Sequence, residues 1–123
     1  MSAPSAPTAE TLRAGHCQPC EGGVPTLSRQ EIADRLTALN DWKTSDDGAA
    51  IHRTWNVGSF SKGLAFCNRV GEIAEAEGHH PDLHLTGYRN VKIVLTTHAV
   101  GGLTENDFIL AAKIDALGDP RTA

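Results

Sequence analysis

The stretch from Ser59 to His98, SFSKGLAFCNRVGEIAEAEGHHPDLHLTGYRNVKIVLTTH, changes its hydrophobic period once, and that change decides the fold. In the first half Phe60, Leu64, Cys67, Gly71 and Ala74 mark one helical face, with Phe66, Val70 and Ile73 beside them. Ser59 is the expected N-cap, and Gly78 and Pro81 stop the helix with two histidines between them. From Leu83 the period falls to two. Leu83, Leu85 and Gly87 alternate with His84, Thr86 and Tyr88; Arg89-Asn90 can turn; Val91, Ile93, Leu95 and Thr97 then alternate with Lys92, Val94, Thr96 and His98. A long helix therefore feeds a β-hairpin.

The flanks repeat this arrangement. Upstream, Ile51, Arg53, Trp55 and Val57 alternate with His52, Thr54 and Asn56, and the turn-rich Ser45-Asp46-Asp47-Gly48 joins them to Trp42-Lys43-Thr44 in a first hairpin. Before it, Ser28 and Glu31 have capping-box spacing, Leu27 and Ile32 can staple the turn, and Ile32, Leu36 and Leu39 predict a helix ending near Asn40. Downstream, Gly101-Gly102 breaks the last strand, and Thr104 caps a final helix with Asp107 three residues on. Leu110, Ile114 and Leu117 are its apolar stripe, and Gly118 and Pro120 end it. The order α-β-β-α-β-β-α predicts an α+β fold, an antiparallel sheet covered on one face by helices. Residues 1–26 read as a flexible lead-in without periodicity, 27–118 as a single domain, and 119–123 as a tail.

Bulk composition narrows the function. A chain of 123 residues holds one core, and a net charge of −4 argues against a nucleic-acid binder, which needs a basic face to neutralise phosphates. No P-loop or dinucleotide fingerprint occurs, no apolar run spans a membrane, and the N-terminus does not read as a secretory signal, so a cytoplasmic location is expected. Cys17 and Cys20 form a CxxC pair that lacks the second half of a zinc site, and reduced thiols are the expectation; Cys67 reads as a small core residue.

Of the 6 histidines, His79, His80, His84 and His98 crowd into one short window. Helix ends and strand ends meet at one rim of a helix-on-sheet layer, so His79, His80 and His98 are candidates for one pocket. Imidazoles there would serve as acid–base groups, metal ligands or a pH switch. Acid–base chemistry is favoured over a metal, because Pro81 keeps His80 and His84 off a shared helix face. His16, His52 and His84 read as ordinary polar residues. Glu77 reads as part of a solvated helix face, and no nucleophile elbow is present.

Glu75-Ala-Glu-Gly-His79-His80-Pro81-Asp82, Tyr88, Val91 through Thr96-Thr97-His98, and Gly102-Leu103-Thr104 to Asp107 together resemble the pterin-4a-carbinolamine dehydratases. The likeness covers roughly residues 27 to 117, and the Cys-x-x-Cys-Glu-Gly-Gly lead-in is similar to that of bacterial members. It implies a four-stranded antiparallel sheet with three helices on one side, assembling as homodimers or homotetramers. It implies a hydro-lyase, a 4a-hydroxytetrahydrobiopterin dehydratase that yields quinonoid dihydropterin and water, recycling the cofactor of aromatic amino acid hydroxylases with no metal or organic cofactor of its own.

Carried over by position, His79 and His98 would be the acid–base residues, and His80 would bind and polarise the pterin. Backbone groups of Gly78 to His80, with Pro81 following, and of Thr96, Thr97, His98 and Ala99 would pair with the edge of the heterocycle. Asp107 completes a helix cap and would also orient His98. Glu75 and Trp42 match the family as site-adjacent residues. Leu83 stands where many members have an aromatic. The resemblance also carries a rival: relatives in animals stabilise dimers of a transcription factor, and some bacterial ones act as assembly factors. A histidine-based metal-binding module is the third reading.

Overall fold

The computed structural model describes residues 7–18 and 25–121. In chain order it contains helices α1 (Ala9–Ala14) and α2 (Arg29–Leu36), strands β1 (Lys43–Thr44) and β2 (Ile51–Asn56), helix α3 (Phe60–Glu77), strands β3 (Asp82–Thr86) and β4 (Asn90–Leu95), a 3-10 turn (His98–Val100) and helix α4 (Glu105–Asp115). The four strands pair antiparallel in the order β1-β2-β4-β3, so the two hairpins meet along β2 and β4. This is the α+β architecture that the change of period predicts.

Register sorts the two faces of the sheet. Ile51 lies opposite Leu95 and Trp55 opposite Val91, and all four are buried. On the other face Thr54 lies opposite Lys92 and His84 opposite the same lysine, and all three are exposed. Phe66 and Val70 of α3 and Phe108, Leu110 and Ile114 of α4 complete the core with the buried strand residues. Trp55 is packed edge-on by Trp42, with centroids 5.7 Å apart, and by Phe66 at 5.0 Å.

Three local readings shift. In α3 the buried stripe is Gly63, Phe66, Val70 and Ala74, while Phe60 and Leu64 are 53% and 47% exposed and Cys67 is only partly buried. Both stripes are apolar, and Gly63 lies on the covered one. A Cβ there would sit 2.8 Å from Leu85 Cδ1, so the missing side chain lets α3 lie close to β3. The second hairpin turns at Gly87-Tyr88-Arg89, before the expected Arg89-Asn90, because Gly87 and Tyr88 both take left-handed backbone angles.

The lead-in, read as lacking periodicity, contains α1, which Thr8 caps in a capping box and whose Leu12 is buried against α4. The helices therefore number four among the described residues, one more than the pattern suggested. Cys20 and its share of the CxxC pair lie outside the described residues.

Candidate active site

Gly78 ends α3 in the left-handed conformation at φ 66°, and its N–H returns to the last turn of the helix. That turn sends the two following histidines to different surroundings. His79 is buried, and its Nε2 lies 2.6 Å from Asp107 Oδ1. His80 is exposed and meets Glu75 Oε1 at 3.2 Å, at the rim of the molecule.

Asp107 is wholly buried and engaged on both oxygens. Oδ2 accepts from the Thr97 hydroxyl at 2.8 Å and from the Thr104 N–H at 3.0 Å, while Oδ1 faces His79. Thr104 Oγ1 lies 2.9 Å from Thr97 Oγ1; since Thr97 donates to the carboxylate, Thr104 donates to Thr97. A carboxylate can only accept, so the hydrogen bond to Asp107 places a proton on His79 Nε2. The capping box that the Thr104 and Asp107 spacing predicts is present. The expected contact of Asp107 with His98 is replaced by one with His79.

His98 opens the 3-10 turn, is exposed, and follows Thr97 in the chain. Its ring makes no hydrogen bond among the described residues, so it is the least committed of the three imidazoles. Thr96 ties its hydroxyl to Ala49 O at 2.6 Å, bracing the end of β4 against the β1–β2 turn. Several backbone donors expected to meet a heterocycle are already used: the N–H groups of Gly78 and His79 on Glu75 and Ala74, and that of Thr97 on Gly102. Ala99 is exposed within the 3-10 turn.

A groove of about 810 Å³ runs beside α3 and the start of β3, lined by Cys67, Glu72, Glu75, His80, Pro81 and Leu83. Burial pushes the Cys67 thiol up, away from the thiolate. His80 and Pro81 reach this groove; the other expected site residues do not line it. Among the described residues no group of three or more His, Cys, Asp or Glu is placed to hold a metal ion. No helix among them is long and apolar enough to cross a membrane.

Two carboxylates escape the sequence reading: Glu77 was expected on a solvated face, and Asp115 was not singled out. Glu77 has a side chain only 7% exposed, and it accepts from the Cys17 N–H at 2.8 Å and meets His16 at 3.1 Å and Lys113 at 3.5 Å. Burial alone would raise its carboxyl, but the Cys17, His16 and Lys113 contacts together hold it below the usual range. Asp115 gathers Trp42 Nε1 at 2.9 Å, Arg53 Nη1 at 2.9 Å and the Asn40 N–H at 3.2 Å. Trp42 is thereby a buried structural residue. The signal for Glu77 was absent from its own helix, because two of its partners lie in the lead-in.

The family model described as pterin 4 alpha carbinolamine dehydratase matches residues 25–117. An Arabidopsis thaliana protein named pterin-4-alpha-carbinolamine dehydratase 2, mitochondrial, is 53% identical over 82% of this chain, which spans 56% of that protein. A Halorhodospira halophila protein named for the same activity is 47% identical over 83% of this chain and 93% of its own length. Among solved structures, a transcriptional coactivator/pterin dehydratase from Brucella melitensis superposes with a TM-score of 0.71 at 32% identity, covering 76% of this chain and 98% of that one. By these likenesses the chain belongs to the pterin-4-alpha-carbinolamine dehydratase family.

Proposed function

We propose that this protein dehydrates a 4a-hydroxytetrahydropterin, the biopterin form included, to the quinonoid dihydropterin. The observation that carries the reading is the buried His79–Asp107 pair, with His80 following His79 and His98 following Thr97. Loss of water requires the C4a–O bond to break while the departing oxygen takes a proton. The N5 proton leaves, and its electron pair closes the C4a–N5 double bond. Two imidazoles suit this exchange because one gives a proton while the other takes one. His79, fixed in one tautomer by Asp107, and His98, exposed and uncommitted, are the pair we assign; His80 binds the ring. Asp107 is a positioning residue, holding His79 through a bond to the ring nitrogen.

The same reading places the enzyme in the cytoplasm, in the recycling of the pterin used by an aromatic amino acid hydroxylase. It makes the protein a homodimer or homotetramer, for which the exposed Phe60, Leu64 and Leu83 offer apolar surface. A non-catalytic binding role is the second reading. A pterin dehydratase-like protein identified as a RuBisCO assembly factor in the alpha-carboxysome shares the fold at a TM-score of 0.53 and 25% identity.

The deciding experiment supplies purified protein with a 4a-hydroxytetrahydropterin generated by a hydroxylase and follows dehydration. Acceleration that EDTA leaves unchanged, and that His79→Ala or His98→Ala reduces, is the expected result. A rate equal to buffer alone favours the binding role, and chelator-sensitive turnover favours a metal site.

A further inference from the structure

The segment Gly15–Gln18 lies outside the residues matched by the family model, yet it touches both helix ends that carry the histidine–aspartate pair. At the end of α3, Glu77 stands two residues before His79. It accepts the Cys17 N–H at 2.8 Å and meets the His16 ring at 3.1 Å. At the start of α4, Asn106 stands one residue before Asp107 and is 1% exposed. Its Oδ1 accepts the Gln18 N–H at 2.9 Å, and its Nδ2 donates to Gln18 O at 2.7 Å. Its backbone carbonyl accepts the Cys17 thiol at 3.5 Å.

The segment is held from upstream as well. Leu12 is buried, and a Cβ on Gly15 would lie 3.3 Å from Ile109 Cδ1 of α4, so the chain runs close against that helix. Lys113 of α4 also meets Glu77 at 3.5 Å, adding a direct tie between the two helices. The strap contributes mainly backbone groups. The specificity therefore resides in the two receiving side chains, Glu77 and Asn106.

We infer that the strap Gly15–Gln18 is a positioning element of the active site: by clasping Glu77 and Asn106 it sets the separation of the α3 and α4 ends, and with it the His79–Asp107 geometry. The inference rests on the reading of His79 and Asp107 as site residues. Glu77, Asn106 and the strap act through that pair and need not touch the pterin. A pair held at 2.6 Å is sensitive to small displacements of either helix end, because hydrogen-bond strength falls steeply with distance and angle.

The test measures kcat, KM and the imidazole ¹⁵N resonances of His79 in full-length Glu77→Ala, Asn106→Ala, Gln18→Pro and His79→Ala proteins. Loss of the clasp should lower kcat about tenfold with KM little changed, the scale of other outer-shell losses. It should also move the His79 resonances in the ligand-free protein. Glu77→Gln, which keeps a carbonyl acceptor for the Cys17 N–H, should restore both toward the parent. Should the alanine variants not fold, Gln18→Pro decides, since it deletes the N–H at an exposed position and leaves α3 and α4 unaltered. Wild-type kcat and unmoved resonances in the folded variants overturn the inference. A His79→Ala protein with full turnover instead overturns the site assignment beneath it, whereas an inactive His79→Ala beside unaffected clasp variants removes the strap alone.

Discussion

His79 and Asp107 are 28 positions apart in sequence, and their side chains meet at 2.6 Å in the interior. One comes from the turn after α3 and the other from the first turn of α4, so the pair joins the two long helices over the sheet. Asp107 has two simultaneous duties, as cap of α4 and as acceptor for an imidazole. The network contains no slack: each carboxylate oxygen is already engaged.

Asp107→Asn should separate these duties. The amide has one acceptor oxygen for three converging donors, and its own N–H₂ must face one of them. Turnover is expected to drop about 10–100-fold, with a stability loss of about 1–3 kcal/mol from the unmatched buried donor. Steady-state kinetics beside denaturant melts check both; an unaltered kcat would show that orientation of His79 is irrelevant to the reaction.

Glu77 predicts a pH dependence of stability. Its folded carboxyl lies below the ordinary value of 4.5, so it contributes stability that is fully present above that pH and is lost as pH falls through the lower folded value. The wild type should therefore lose more thermal stability on acidification below about pH 4.5 than Glu77→Gln does. Parallel melting curves for the two proteins across that range would contradict the assignment.

Asp115 neutralises Arg53, whose guanidinium also lies 4.5 Å from the Trp55 ring. Both side chains are largely buried, at 10% and 18% exposure. Asp115→Ala strips the acceptor from Arg53, Trp42 and the Asn40 N–H together, and should cost about 3–5 kcal/mol, the range for breaking one side of a buried pair. Urea unfolding with an unchanged slope would report this as a pure stability loss.

Two glycines of one helix should respond in opposite directions. A Cβ on Gly71 meets nothing within 4 Å, and Gly71→Ala should stabilise α3 by about 1 kcal/mol through helix propensity. Gly63→Val should destabilise by about 1–3 kcal/mol, because its branches would displace Leu85 and Val57. Equal melting temperatures for the two variants would mean that α3 does not depend on the close approach at Gly63.

What the sequence revealed and what it hid follow from how far apart partners lie. The Ser28–Glu31 and Thr104–Asp107 boxes were readable because each is complete within three residues. Period-two alternation around Ile51 and Val91 was readable because one face of the sheet is covered and the other is not. The burial of Glu77 was not, since its partners Cys17 and His16 are 60 and 61 residues away. The same holds for Asp107, expected to orient His98 but bonded to His79 across the interior. In α3 both apolar stripes carried the same helical signal, and the close approach of Gly63 to Leu85 on the covered one involves a strand that the helix's own pattern does not show.

The left-handed residue at Gly78 has one further consequence. By turning the chain there, it divides two adjacent and chemically identical imidazoles between a buried position and open solvent. An acylating reagent arriving from water would therefore meet the pair unequally, His80 fast and the 6% exposed His79 slowly. The ratio of the two rates would report how narrowly the folded site admits a molecule to His79.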